Sequence, residues 1–190
     1  LNLDFRHQMI VEEALGLWKG AVVALDPRNG EVLAFYSAPS FDPNIFAGSL
    51  SSDALQAIFK DPAKPLLNRV TQIPEHPGSV FKTVTLLAAL ETGAVNKSTT
   101  FFCGGASFFL GRLWHCWKEH GHGTVNYRSG LTNSCNIYYY NAGIRAGIDA
   151  LAKVGHAVGF GLKSGIELTD ENPGIMPSPE WKKQRYGQPW

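Results

Sequence analysis

No stretch of eighteen apolar residues occurs in this 190-residue sequence, so no segment of it reads as a membrane-spanning helix. An excess of one charge is missing too. Seventeen Lys and Arg stand against sixteen Asp and Glu, a net charge of +1 that argues against a large nucleic-acid footprint. There is no internal repeat and no low-complexity tract. There is also no initiator methionine and no signal peptide. The chain starts at Leu1 within a pattern and stops at Trp190 just after a basic segment, so it reads as a piece of a longer protein whose anchors lie elsewhere. Cysteine is scarce, and its number, three, is odd; in a secreted protein that leaves a thiol to be explained.

What is present is ordinary globular material, 44% apolar and 17% charged, enough for one domain with a sizeable core. Leu3 to Leu17 reads as an amphipathic helix capped by Asp4. Residues 21–25 and 31–36 are apolar runs on either side of Asp26-Pro27-Arg28-Asn29-Gly30, a β-hairpin pattern. Both runs are nearly continuously apolar, which predicts a sheet covered on both faces. Leu50 to Phe59 fits a helix, and residues 61–77 are punctuated by four prolines. A helix is predicted from Ser79 to about Thr92, ended by Gly93. Residues 98–124 are rich in glycine and aromatics and show little periodicity. Helical segments are predicted from Thr124 through Gly130 to Tyr140, and over Ile148 to Val158. Tyr138, Tyr139 and Tyr140 read as core.

The most informative stretch is His76-Pro77-Gly78-Ser79-Val80-Phe81-Lys82-Thr83. On a helix, positions i and i+3 share a face, so Ser79 and Lys82 point the same way. A serine hydroxyl is a weak nucleophile that needs a neighbouring base. A lysine serves as that base only when it sheds its proton, and burial among Val80, Phe81, Val84, Leu86 and Leu87 favours the neutral form. Taken alone, the same spacing also describes a helix-capping serine followed by a surface lysine. Ser134-Cys135-Asn136 follows 55 positions later. It supplies a second hydroxyl able to pass a proton toward a leaving group, and an amide able to hold the lysine and a substrate peptide.

Ser-x-x-Lys with a downstream Ser-x-Asn is part of the signature of penicillin-binding proteins and class A β-lactamases. The chain resembles the class B penicillin-binding proteins, and within them the penicillin-binding protein 2 group that serves cell elongation. The resemblance runs from Gly20-Ala21-Val22-Val23-Ala24-Leu25-Asp26-Pro27 and Gly30-Glu31-Val32-Leu33-Ala34 through Pro39-Ser40-Phe41-Asp42-Pro43-Asn44 and Leu66-Leu67-Asn68-Arg69. It continues over both serine motifs, Gly121-His122-Gly123, Phe160-Gly161 and Gly165-Ile166-Glu167-Leu168.

The resemblance implies an α+β fold, an antiparallel sheet flanked by helices plus an all-helical lobe, here cut off before the C-terminal strands. Residues 1–190 would be a partial transpeptidase domain, with 1–40 forming a helix and hairpin of the sheet and 41–190 a mainly helical lobe. A two-stranded remnant would be of limited stability and leave an exposed sheet edge. Ser79 would be the acylated nucleophile, Lys82 its general base, Ser134 the proton relay to the leaving amine, and Asn136 the group holding Lys82 and the substrate amide. The Ser79 N–H would supply half of an oxyanion hole. The expected activity is peptidoglycan D,D-transpeptidation on stem peptides ending in D-Ala-D-Ala, with acylation by β-lactams. Alternatives are a β-lactam sensor domain or a catalytically incomplete scaffold. Lys163-Ser164-Gly165 superficially fits the family's third motif, but it comes only 27 positions after Asn136, in a glycine-rich turn, and reads as a surface lysine. Expected partners are a rod-shape glycosyltransferase and elongation-complex proteins. The expected location is the periplasmic face of the inner membrane, with an N-terminal anchor outside this chain.

Cys103, Cys116, His122 and Cys135 are spaced Cys-x12-Cys-x5-His-x12-Cys, a donor set suited to a closed structural zinc site. The resemblance sharpens this, since some penicillin-binding protein 2 members carry zinc beside the active site. Where some relatives have Asp, this chain has Cys103 and Cys116. A Cys103–Cys116 disulfide with Cys135 buried as a small apolar residue is the alternative. His115 is a further metal candidate, while His76, His120 and His156 read as cleft-mouth, loop and structural residues.

Overall fold

The computed structural model describes residues 2–47 and 52–190. The chain divides into two compact units, Leu1–Pro74 with Lys163–Asn172, and Glu75–Leu162 with Pro173–Trp190. No helix among the described residues is long and apolar enough to cross a membrane.

The first unit opens with helix α1 (Phe5–Leu15), a turn shorter than its sequence pattern. Asp4 caps it by accepting the backbone N–H groups of Arg6 (2.8 Å) and His7 (3.3 Å). Strands β1 (Gly20–Leu25) and β2 (Val32–Ala38) then form the expected antiparallel hairpin, with Val23 opposite Phe35 and a bulge after Ala24. The Gln8 amide of α1 works like a strand neighbour. Its Nε2 donates to the Phe35 carbonyl (2.8 Å) and its Oε1 accepts the Phe35 N–H (2.9 Å). The outer edge of β2 is thus blocked, and the open edge belongs to β1, whose one strand partner among the described residues is β2.

The hairpin is not covered on both faces. Along β1, half-buried and exposed residues alternate, leaving Val23 and Leu25 in solvent. Its continuous apolar run could not reveal this, because that pattern records what a strand can bury, not what packs on it. A short 3-10 turn (Pro43–Phe46) and helix α2 (Ser52–Lys60) follow. The predicted start of that helix, Leu50 and Ser51, lies outside the described residues. Helix α3 (Arg69–Gln72) interrupts the proline-rich stretch. The buried Arg69 guanidinium ties that stretch together by donating to the carbonyls of Ala63, Lys64 and Leu67.

In the second unit, a 3-10 turn (Gly78–Val80) runs into helix α4 (Phe81–Glu91). The segment with little periodicity is not irregular. It holds β3 (Thr100–Cys103), β4 (Ala106–Phe109), β5 (Arg112–His115) and β6 (Gly123–Asn126), with β3 paired to β6 and β4 to β5. Four residues are too few for a period-two pattern to emerge against glycine and aromatic residues. Thr124 therefore belongs to a strand, and helix α5 (Tyr127–Thr132) starts only after Asn126. There Asn126 and Ser129 exchange side-chain and backbone hydrogen bonds, both 3.0 Å, a capping box. Helices α6 (Asn136–Ala146), α7 (Ile148–Ala157) and α8 (Pro179–Tyr186) complete the unit; the last is absent from the sequence expectations, although Ser178 as cap, Pro179 at its first position and Gly187 after its end mark it.

This unit carries the buried core. Ile137, Tyr138, Tyr139, Ala142, Val95 and Val125 pack with the three cysteines, and a second cluster joins Val84 and Ala88 of α4 to Val154 of α7. Tyr138 is fully buried edge-on against Phe101, at 5.1 Å between ring centroids. Tyr140 is only half-buried. Each large buried side chain of this kind contributes about 1.5–3 kcal/mol relative to exposure.

Candidate active site

The first half of the site is built by local geometry. Gly78 turns the chain at φ +57°, a conformation costly for residues with a Cβ. The 3-10 turn that follows places residues i and i+3 nearly in line. Ser79 is exposed at its centre, and Lys82 sits half-buried in the first turn of α4, with Nζ 3.3 Å from Ser79 Oγ.

The second half is brought in from the α5–α6 connection. Lys82 Nζ donates to the Ser134 carbonyl (2.8 Å), to Ser134 Oγ (2.9 Å) and to Asn136 Oδ1 (2.7 Å). Ser134 Oγ in turn donates to Ser79 Oγ at 3.0 Å. Ser134 holds φ at +48°, a left-handed conformation that costs a non-glycine residue about 1–2 kcal/mol. The neighbouring segment pays that cost through several tethers. Trp117 Nε1 donates to the Asn133 carbonyl (2.9 Å), Asn136 Nδ2 donates to the His115 carbonyl (3.2 Å), and the Cys135 N–H donates to the Gly130 carbonyl (2.8 Å). The bond to His115 fixes which end of the Asn136 amide faces Lys82.

Four oxygens surround Lys82 Nζ, one more than the protons an ammonium can donate. A neutral amine would have two protons to give and a lone pair to accept the Ser79 hydroxyl proton. Burial pushes the lysine in that direction and lowers its pKa, opposed by the nearby sulfurs of Cys116 and Cys135. The arrangement can draw a proton from Ser79 and pass it on through the Ser134 hydroxyl.

Directly behind the second motif lie Cys103, Cys116, His122 and Cys135, whose donor atoms all fall within 4.8 Å of one another. His122 Nδ1 is 3.7 Å from Cys103 Sγ and 3.5 Å from Cys116 Sγ. A tetrahedral zinc with its usual bond lengths separates a sulfur and a nitrogen ligand by about 3.6 Å. The three thiols are buried and none is in a disulfide. Burial pushes the Cys135 thiol up to about 12, so without a cation it stays protonated. Burial also opposes ionisation of Cys116, but backbone N–H groups of Lys118, Asn136 and Ile137 and the Cys103 thiol outweigh it and pull its pKa down. Burial lowers the His122 pKa, keeping the imidazole neutral and able to ligate. The donor set, its spacing and its electrostatics fit a four-coordinate soft cation. The approach is close: a Cβ on Gly121, at φ +75°, would overlap the Cys103 carbonyl.

Lys163, Ser164 and Gly165 are exposed, belong to no strand and lie in the first unit. His115 is outside the four-donor group and contributes its backbone carbonyl to Asn136. His156 bonds the Phe160 carbonyl at 3.0 Å. Trp117 is the supporting residue that the sequence does not announce, and Gly121 enters there only as part of Gly121-His122-Gly123; an aromatic residue in a glycine-rich stretch gives no sign of a distant carbonyl partner.

An α+β fold with a serine, a lysine and a serine–asparagine pair converging on one amine defines a serine acyl-transfer scaffold. The chain belongs to the penicillin-binding protein transpeptidase domain family, matched over residues 20–189. It is 38% identical over 192 residues to the peptidoglycan D,D-transpeptidase MrdA of Escherichia coli K12, covering all of this chain and 30% of that protein. The penicillin-binding protein PBP2 of Helicobacter pylori in its complex with MreC superposes with a TM-score of 0.93 at 34% identity, over 99% of this chain and 36% of that one. Penicillin-binding protein A of M. tuberculosis, as a ceftriaxone acyl-enzyme complex, superposes with a TM-score of 0.77 at 34% identity, over 86% of this chain and 39% of that one. The chain thus spans about a third of the length of these relatives.

Proposed function

We propose that this chain is the part of a peptidoglycan D,D-transpeptidase that carries the acylated serine and its proton-transfer partners. The observation that carries this reading is the convergence of Ser79 Oγ, Ser134 Oγ and Asn136 Oδ1 on Lys82 Nζ. Ser79 Oγ attacks the carbonyl of the penultimate D-alanine while neutral Lys82 takes its proton. Ser134 delivers a proton to the departing D-alanine nitrogen, and the ester on Ser79 remains. An amine of a neighbouring stem peptide then displaces Ser79, forming the cross-link and returning the proton. The Ser79 N–H, at the start of a helical turn where such groups lack intrahelical acceptors, faces the developing oxyanion. Asn136 holds both Lys82 and the substrate amide.

β-Lactams acylate the same oxygen by presenting a strained amide. The test is mass spectrometry of the full-length protein containing this chain after exposure to benzylpenicillin. One adduct on the Ser79 peptide, absent from Ser79→Ala, is expected; no adduct, or one elsewhere, would overturn the assignment. Turnover of a stem pentapeptide with an amine acceptor separates a transpeptidase from a sensor that only acylates.

Zinc is the cation assigned to Cys103, Cys116, His122 and Cys135. When bound, it would supply a structural anchor joining these four residues, and no proton or nucleophile. Cys135 lies between Ser134 and Asn136, so the anchor would pin the loop bearing both. Metal analysis giving one zinc per chain supports this; less than half an equivalent, with two thiols unreactive until reduced, refutes it. The cell-wall activity of the MrdA relative and the PBP2–MreC complex support a location at the periplasmic face of the inner membrane, alongside elongation-complex proteins.

A further inference from the structure

Cys103, Cys116 and Cys135 can do more than ligate a cation. A donor set with one thiol has nothing to pair with when that sulfur is oxidised. Here three sulfurs and the His122 ring nitrogen all lie within 4.8 Å of one another, and no disulfide joins any of them. Two of the three are set apart from the third. Cys103 Sγ and Cys116 Sγ lie 3.7 and 3.5 Å from the same atom, His122 Nδ1, so they are neighbours across one nitrogen. Cys103 ends β3 and Cys116 follows β5, with the β4–β5 hairpin between them. Cys135 is held more firmly. It precedes α6, its N–H donates to the Gly130 carbonyl (2.8 Å), and both its neighbours, Ser134 and Asn136, bind Lys82. Cys116 is 6% exposed, whereas Cys103 and Cys135 are fully buried. A small oxidant therefore meets Cys116 first, with a second sulfur beside it.

We propose that Cys103 and Cys116 form a redox switch: a peroxide joins them as a disulfide, the cation is released, and the loop carrying Ser134 and Asn136 loses its anchor. The proposal rests on the zinc reading of the cluster and adds regulation to it. The Cys116 thiolate attacks one peroxide oxygen, the O–O bond breaks, hydroxide leaves, and Cys116 becomes a sulfenic acid. The Cys103 thiolate then attacks that sulfur and expels a second hydroxide. Two thiolates give up two electrons, one peroxide takes them, and zinc stays divalent. A thiol within reach of the sulfenic acid stops oxidation at the reversible disulfide, ahead of sulfinic acid. His122 and Cys135 are then the remaining donors, two where a structural zinc takes four.

The test exposes the zinc-loaded, full-length protein to hydrogen peroxide and then removes the peroxide with catalase. Released zinc is read with a chromogenic chelator, and the state of each cysteine by peptide mass spectrometry. One zinc should leave for each Cys103–Cys116 disulfide formed, while Cys135 stays a thiol. Acylation of Ser79 by benzylpenicillin should slow about 10- to 100-fold in step with zinc loss, the usual cost of loosening a metal-supported site. Dithiothreitol with added zinc should restore both metal content and rate. Oxidised methionine, which needs its own reductase, would leave the rate low. Zinc retained under peroxide, sulfinic acid at Cys116, a disulfide through Cys135, or an unaltered acylation rate in the oxidised, zinc-free protein each overturns the switch. Protein purified with less than half an equivalent of zinc overturns the zinc reading instead.

Discussion

The two halves of the candidate site are positioned in different ways. Ser79 and Lys82 are three residues apart on one turn, and local helical geometry is enough to bring them together. Ser134 and Asn136 depend on a remote segment: Trp117 grips Asn133, His115 grips Asn136, and Cys116 shares the four-donor cluster with Cys135. The first half should therefore survive most changes outside α4, and the second should respond to changes as far back in the chain as Cys103.

The largest expected effect falls on the locally built half. Lys82→Ala should slow acylation of Ser79 by about 10²- to 10⁴-fold, the usual range for losing a positioned general base. Stopped-flow acylation with a chromogenic cephalosporin would show it, and a loss under tenfold would mean another group takes the proton. The pH profile sharpens the point. Because burial lowers the Lys82 pKa, and the neutral amine is the proposed working form, the rate should rise with pH and level off through an inflection below lysine's ordinary 10.5. A flat profile between pH 6 and 10 would contradict this.

Next comes the tethered half. Cys103→Ser touches neither catalytic motif, yet should cut zinc content below half an equivalent and slow acylation about 10- to 100-fold, the usual cost of loosening a metal-supported site. Full acylation in a zinc-depleted variant would break the proposed coupling. Gly121→Ala should destabilise the protein by about 2 kcal/mol through its positive φ and the overlap with the Cys103 carbonyl, read from a denaturant midpoint. The smallest effect belongs to Trp117→Phe. It keeps a ring against His122 but loses the bond to the Asn133 carbonyl, worth about 1 kcal/mol, so acylation should fall about fivefold with zinc retained. Loss of zinc in that variant would show that Trp117 supports the cluster and not the loop.

Legibility in the sequence followed the same division. The Ser79–Lys82 pair, the Asp4 cap and the β1–β2 hairpin are short-range patterns, and the structure shows each of them. The strands between Thr100 and Asn126 were not legible, because each is four residues long and β3 pairs with β6 across a gap no local window spans; β4 and β5 form a tight hairpin over Leu110-Gly111, a short-range turn that the aromatic, glycine-rich surroundings obscured. The four donors could be grouped by spacing, but their approach to within 4.8 Å depends on the pairing of β3 with β6, which sets Cys103 opposite Gly123 beside His122.

The sequence by itself determined which chemistry is available: a hydroxyl, an amine one turn away, a second hydroxyl with an amide, and four soft donors. It could do so because residue identity and i to i+3 spacing suffice for that. Only the tertiary structure decided that Lys82 Nζ meets the Ser134 carbonyl, Ser134 Oγ and Asn136 Oδ1 within 3 Å, and that Ser134 is held in a strained left-handed turn. Those contacts span more than fifty residues, and the packing of α4 against α6 sets them, not any propensity of the segments themselves.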